Sequence, residues 1–387
     1  MTASQIYFRF LLGLTTWLSL CIFQAASATE DILIPTPPTI AAKSYFLQDA
    51  NSGKVLAEAN ADEKLAPASL TKIMAVYVVF NELSKGHLSL DEQVTISRKA
   101  WQTPGSRMFV EVNKHVKISD LLKGVIIQSG NDASVALAEH IAGDEATFAE
   151  MMNQQATRLG MVNTHFSNSM GLPADDHYTT AKDLAILTRA LIREYPDYYR
   201  WFSEKEFTFN NITQRNRNRL LWRDETVDGV KTGYTEDAGY CLVASAVRDD
   251  MRLISVVMGT DSERARANEN QTLLNYGFRF YETHRLYKGN EALTQTRIWK
   301  GENKNLDLGL AEDLYVTIPR RHYNDLKAVI NYDQKITAPV KQGETFGTVN
   351  VTLAGNPVAE EKLIALSTIN QGNLLRKLVD SALLLVK

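Results

Sequence analysis

Ser69 and Lys72 stand three residues apart in "LAPASLTKIMAVYVVF" (residues 65–80), just after a proline and just ahead of a long apolar run. At the start of a helix, residues at that spacing share a face, so the lysine amine can approach the serine hydroxyl. A serine hydroxyl is a weak nucleophile and needs an adjacent base. A lysine serves as that base only where burial and nearby positive charge lower its pKa. A helix start also offers the positive end of a dipole and a backbone N–H able to face a developing oxyanion. Alone, S-x-x-K reads more readily as an N-terminal cap followed by a solvated lysine.

Two further motifs follow. "IIQSGNDAS" puts Ser129, Gly130 and Asn131 between apolar helical runs, where a tight turn projects short polar side chains. A hydroxyl and an amide there suit proton relay and recognition of a substrate amide. The plainer reading is a helix-to-helix turn, because Ser, Gly and Asn are ordinary turn residues. "GVKTGY" then places Lys231, Thr232 and Gly233 on an expected strand. Gly233 leaves room for a substrate backbone beside that strand. Lys231 supplies charge and Thr232 a hydroxyl for a carboxylate, although an exposed strand edge carries such residues too. Each motif is weak by itself; the three in this order are far more specific.

The elements that must position these residues are legible. "AAKSYFLQDANSGKVLAEAN" reads as two strands around a turn at Asn51, Ser52 and Gly53. Helical patterns dominate the next stretch, several of them followed by glycines suited to C-terminal caps. Another helix is expected from Thr180, with Asp183 at the third position after that cap. "VDGVKTGY", "GYCLVASAVRD" and "MRLISVVMGT" look like neighbouring antiparallel strands, and "ANENQTLLNYGFRFYETH" like a closing helix. Strand pair, helices, strands and terminal helix fit one α+β domain with helices packed on an antiparallel sheet. From Gln295 to Ile369, short alternating runs separated by turn residues indicate a small all-β domain. In the tail "GNLLRKLVDSALLLVK", Leu374, Leu375, Leu378, Val379, Ala382, Leu385 and Val386 fall on one helical face, with Arg376, Lys377 and Asp380 on the other. That pattern fits a helix lying in a membrane surface better than one docked on the β domain, and it is too short to span a bilayer.

Composition narrows the classes. The chain of 387 residues favours two domains or one large domain with an appendage, and a formal charge of -3 gives no basic footprint for nucleic acid. Arg9 is the only charge before Glu30, an apolar run follows it, and "ASA" at 26–28 offers a signal-peptidase cut after Ala28. The run is short of the roughly 20 residues needed for a membrane span. Leu20 before Cys21 argues against a lipoprotein signal. Cleavage leaves Cys241 as the one cysteine, so no intramolecular disulfide is expected, and its apolar setting suggests a buried small hydrophobe. The histidines are dispersed with no H-x-x-E-H or H-E-x-x-H spacing, which argues against a metal site; neither metal nor cofactor is expected.

S-x-x-K, S-D-N and K-T-G mark class A β-lactamases and penicillin-binding proteins; the middle motif here is S-G-N. With "LGMVNTHFSNSMGLP" (159–173), "DGVKTGYT", "GFRF" (277–280), the β-rich second part and the amphipathic tail, essentially the whole mature sequence resembles the low-molecular-mass penicillin-binding proteins. These are the serine-type D-Ala-D-Ala carboxypeptidases of the penicillin-binding protein 5 and 6 kind. The resemblance implies a β-lactamase/transpeptidase-like domain followed by a small β-sandwich and an amphipathic helix. The expected limits are a signal peptide at 1–28, the catalytic domain at 29–286, the β-sandwich at 287–370 and the anchor helix at 371–387. By matching positions it implies that Ser69 is acylated, Lys72 is the general base, Ser129 shuttles a proton to the leaving amine and Asn131 orients the substrate amide. Lys231 is implied to hold the electrostatics around Ser129, and Thr232 and Arg266 to take the terminal carboxylate. Gly130 and Gly233 line the substrate, and the oxyanion sits between the N–H groups of Ser69 and Tyr234. Position 234 departs from well-known relatives, which carry His after K-T-G; the backbone donor survives any side chain, so rate or preference is affected and not the reaction class. The implied partners are a peptidoglycan stem peptide ending in D-Ala-D-Ala, β-lactams covalently bound at Ser69, and the periplasmic face of the inner membrane.

Three other readings bear on the same motifs. A class A β-lactamase needs a glutamate to activate the deacylating water, and "GMVNTHFSNSMGLP" has none. A D,D-endopeptidase acting on cross-links uses the same residues and stays open. A scaffold that binds peptidoglycan without turnover is the non-enzymatic alternative.

Overall fold

Period-two alternation in "GYCLVASAVRD" and "MRLISVVMGT" sends successive side chains to opposite faces of a sheet, and both faces are covered. From the strands Gly239–Arg248 and Met251–Thr260, Cys241, Val243, Ile254, Val256 and Met258 enter one apolar core. Leu242, Ala244, Ala246, Leu253 and Val257 enter the other. The helix Glu263–Phe280 closes the second core with Ala267, Leu273, Leu274 and Phe278. The helical segment between residues 71 and 202 closes the first. The computed structural model describes residues 34–386; the expected leader, with Cys21 and the cut after Ala28, lies outside the described residues.

The larger part's sheet is five-stranded and antiparallel in the order Val55–Ala59, Ser44–Asp49, Met251–Thr260, Gly239–Arg248, Val227–Thr235. The K-T-G strand, Val227–Thr235, is therefore an edge, with one row of backbone groups unpaired within the sheet. The expected hairpin forms around residues 51–53, where Gly53 holds φ +78 and the Ser52 N–H donates to Asp49 Oδ1 at 2.7 Å. Helix Ala181–Glu194 starts at the expected cap, with Thr180 Oγ1 accepting from the Asp183 N–H at 3.0 Å.

The closing helix is shorter than its apolar pattern predicts. It stops at Phe280, and Tyr281–Tyr287 is a strand paired with Leu314–Pro319. Aromatic and β-branched residues over that stretch (Tyr281, Thr283, Tyr287) favour a strand once a partner strand is available. Beyond it lies an all-β part: that pair and a six-stranded sheet share a core of Ile298, Leu306, Leu308, Val316, Val349, Val351 and Leu363, among others. The two parts meet at a polar seam. Asp49 Oδ2 accepts from Thr283 Oγ1 at 2.8 Å, Lys54 Nζ donates to the Thr317 carbonyl at 3.1 Å, and Arg193 pairs with Glu312 at 2.6 Å.

The tail helix, Leu374–Val386, docks on the all-β part by its polar face, the reverse of what apolar docking would give. Asp380 is 4% exposed; it accepts from Arg297 at 2.8 Å and from the Lys300 N–H at 2.6 Å. Leu374, Leu375, Leu378, Val379 and Leu383 face outward. No helix among the described residues is long and apolar enough to cross a membrane.

Candidate active site

Residues 68–70 form a single 3-10 turn that runs into the helix Thr71–Ser84. Ser69 does not cap that helix: Leu70 occupies the cap position and no side chain bonds there. The turn is instead held by neighbours that come very close. Ala68 sits at φ +47, a conformation alanine rarely adopts. A Cβ on Gly171, itself at φ +89, would lie 1.8 Å from the Ala68 carbonyl oxygen. Gly171 is fixed in turn by Asn168, whose Oδ1 accepts its N–H at 2.7 Å. A Cβ on Gly233 would lie 3.1 Å from the Pro67 carbonyl and 3.3 Å from the Ala68 Cβ. The glycine of K-T-G therefore lets the serine's turn seat against the strand, a packing role beside the one expected of it toward substrate.

Lys72 is 1% exposed, and its amine is fully engaged: it donates to Ser69 Oγ at 3.1 Å, to Asn131 Oδ1 at 2.7 Å and to the Met170 carbonyl at 2.5 Å. Burial, with the Arg217 charge added and Asp132 opposing, pushes its pKa down to about 7. Among the described residues no carboxylate is hydrogen-bonded to Ser69, Lys72 or Ser129. Glu145 reaches the loop behind them but is bound to the Ser169 N–H and Oγ (3.2 and 3.0 Å) and paired with Lys99.

The S-G-N turn is built by a widened last helical turn. Helix Ile118–Lys123 continues as a π-turn over Gly124–Gln128, a form common at functional sites. Ser129 follows at φ +68, and helix Asn131–Ala142 starts at once. Ser129 is buried, and its Oγ has no hydrogen-bond partner among the described residues. Asn131 is clamped at both ends of its amide, receiving Lys72 on Oδ1 and donating from Nδ2 to the Pro104 carbonyl at 2.7 Å. Buried Asp132 anchors the facing loop by accepting the N–H groups of Met108, Phe109 and Val110 at 2.9, 2.9 and 3.2 Å.

On the edge strand, Lys231 and Thr232 are buried. Lys231 Nζ donates to the Thr232 carbonyl at 3.0 Å, and no bond joins it to Ser129 among the described residues. Burial, then the charges of Lys72, Arg217 and Arg266, hold its amine well below the lysine range. Arg266, expected on the terminal carboxylate, donates to the Gly233 carbonyl at 3.0 Å and lies over the Tyr240 ring. Tyr234 is 51% exposed and rests its ring on Tyr240, centroids 4.3 Å apart.

Two contributors escaped sequence reasoning. Arg217 lies in "TQRNRNRLLWR", one arginine among several, and nothing local marks it as the one whose charge acts on both buried lysines. His177 is buried near the start of the Ser69 helix: its Nδ1 accepts from the Ser167 N–H at 2.9 Å, so Nε2–H donates to Thr71 Oγ1 at 2.7 Å. Burial pushes its pKa down to about 4, so the ring stays neutral. A lone histidine in a loop gives no signal for this.

Taken together, the geometry offers a hydroxyl with a deprotonable amine against it, a second hydroxyl opposite, and a strand edge able to pair with an extended peptide. Comparison with known proteins finds likenesses along most of the chain. A family model described as D-alanyl-D-alanine carboxypeptidase matches residues 32–262, and one described as the penicillin-binding protein 5 C-terminal domain matches residues 281–371. The chain is 46% identical over 351 residues to D-alanyl-D-alanine carboxypeptidase DacC of Escherichia coli (strain K12), covering 89% of this chain and 88% of that protein. The crystal structure of penicillin-binding protein 5 from Haemophilus influenzae superposes with a TM-score of 0.83 at 41% identity, covering 87% of this chain and 100% of that one. Penicillin-binding protein D2 from Listeria monocytogenes, solved in an ampicillin-bound form, matches at a TM-score of 0.58 and 30% identity over 62% of this chain and 100% of that one.

Proposed function

The chain belongs to the D-alanyl-D-alanine carboxypeptidase family of penicillin-binding proteins, and from that premise we propose how its own residues carry the reaction. Ser69 is the nucleophile and Lys72 its base. The observation that carries this is the 3.1 Å contact between Lys72 Nζ and Ser69 Oγ, on an amine brought to about 7. In its neutral form Lys72 takes the hydroxyl proton as Ser69 Oγ attacks the carbonyl between the last two D-alanines. The backbone N–H groups of Ser69 and Tyr234 receive the oxyanion. Ser129 passes a proton to the departing amine, and D-Ala leaves; water then hydrolyses the acyl ester and restores Ser69.

Asn131 orients the substrate amide while holding Lys72. Lys231 shapes the field at the strand, Thr232 and Arg266 take the terminal carboxylate, and Gly130 and Gly233 keep the walls of the cleft low. A β-lactam acylates the same oxygen. A labelled penicillin therefore forms one covalent adduct with the protein, lost in Ser69→Ala, and the wild type releases D-Ala from a pentapeptide ending in D-Ala-D-Ala. A wild type with neither adduct nor release would sink the assignment.

The protein is exported and held on the periplasmic face of the inner membrane by the apolar face of the tail helix. Truncation from Gly372 frees it from membranes and leaves pentapeptide hydrolysis within about twofold of the full chain, as expected for a helix distant from Ser69 in sequence and bound to the all-β part. Membrane binding that persists in the truncated chain overturns the anchor.

A further inference from the structure

One cavity holds none of the residues assigned above to the reaction. It measures 590 Å³ and is lined by Arg215, Arg217, Arg219, Arg223, Trp222 and Glu263. Four guanidiniums thus face one carboxylate. Glu263 neutralises only part of that charge, pairing with Arg219 at 2.7 Å and lying 3.9 Å from Arg266. Arg223 donates to the neutral Asn268 side chain at 2.9 Å. Among the described residues nothing is hydrogen-bonded to, or paired with, the side chains of Arg215 and Arg217. Like charges in excess of their counter-charge repel, so the arrangement is suited to an incoming anion, and guanidiniums bind carboxylates in forked pairs.

Its position says which end of a substrate it serves. Arg266 touches both the K-T-G strand, through the Gly233 carbonyl, and the cavity, through Glu263. Arg217 is in the cavity wall and its field reaches Lys72 and Lys231. The cavity is thus linked through Arg266 to the residues assigned above to the terminal carboxylate, and under that assignment it lies toward the leaving residue.

We propose that this arginine-lined cavity is a subsite for a second carboxylate carried by the leaving residue, so that the enzyme prefers a C-terminal D-residue with an acidic side chain over its neutral isostere. The proposal rests on the assignment of Thr232 and Arg266 made above. It extends the substrate class from D-alanine as leaving group to dicarboxylic D-amino acids.

The test compares three peptides identical up to the scissile bond and ending in D-Ala-D-Ala, D-Ala-D-Glu and D-Ala-D-Gln. For the wild type at low salt, kcat/KM is expected to favour D-Glu over D-Gln by roughly tenfold, the scale of one charge-assisted hydrogen bond in a partly open site. Molar salt is expected to erase most of that preference. Arg215→Gln with Arg223→Gln, both exposed and outside the catalytic machinery, brings the ratio close to one and leaves D-Ala-D-Ala hydrolysis unchanged. Equal kcat/KM for D-Glu and D-Gln in the wild type, or a preference that survives in the double variant, overturns the subsite alone. If the D-Ala-D-Ala peptide is not hydrolysed either, the functional assignment fails and the subsite falls with it.

Discussion

At the scale of single residues, the site works by making a lysine a poor cation. A Lys72 pKa near 7 means the base is neutral only above that pH. Protonation on the acid side removes the acceptor for the Ser69 proton, so acylation by penicillin rises with pH through about 7 and then levels off. Arg217 helps hold the amine down; Arg217→Gln removes a positive neighbour, raises the Lys72 pKa and moves the acid limb to higher pH. A profile of kcat/KM against pH that is identical in the two proteins defeats this account. Much at this scale was legible from S-x-x-K, S-G-N and K-T-G, because short spacings along a helix or strand translate directly into proximity. Arg217 and His177 were not, since their effects depend on burial and on the approach of segments distant in sequence.

At the scale of elements, the turn that carries Ser69 is positioned by close backbone contact with two glycines. Gly171→Ala adds both a forbidden φ and a clash with the Ala68 carbonyl, so it is expected to cost about 3 kcal/mol and to lower the acylation rate together with Tm. Gly233→Ala meets its neighbours at 3.1 and 3.3 Å, which a small shift relieves. It should cost about 1–2 kcal/mol yet slow acylation disproportionately, because the shift falls on the turn holding Ser69. Calorimetry beside penicillin acylation separates the two; equal effects on both properties in both variants count against it. The strands and the capped helix at Thr180 could be read from alternation and capping chemistry. The π-turn ahead of Ser129 and the helix stop at Phe280 could not, since both depend on tertiary partners that override local pattern.

At the scale of the whole molecule, a buried carboxylate ties the tail to the all-β part. Asp380→Ala leaves Arg297 and the Lys300 N–H without their acceptor and is expected to loosen the tail helix by about 1 kcal/mol, discounted for the exposed Arg297. Faster amide exchange confined to residues 374–386, with pentapeptide turnover unaltered, is the expected reading; unchanged exchange there argues that Asp380 holds nothing. Sequence periodicity exposed the two faces of this helix but named no partner for the polar one, since a pattern cannot say which face finds a partner. With Asp380 as a pin, the helix cannot roll about its own axis, and its leucine stripe keeps one bearing relative to the strands beneath it. An enzyme seated by such a stripe searches an area and not a volume. Its encounters then follow substrate per unit of surface, and a tail-less chain with unchanged turnover would still lose the gain in effective concentration that confinement gives.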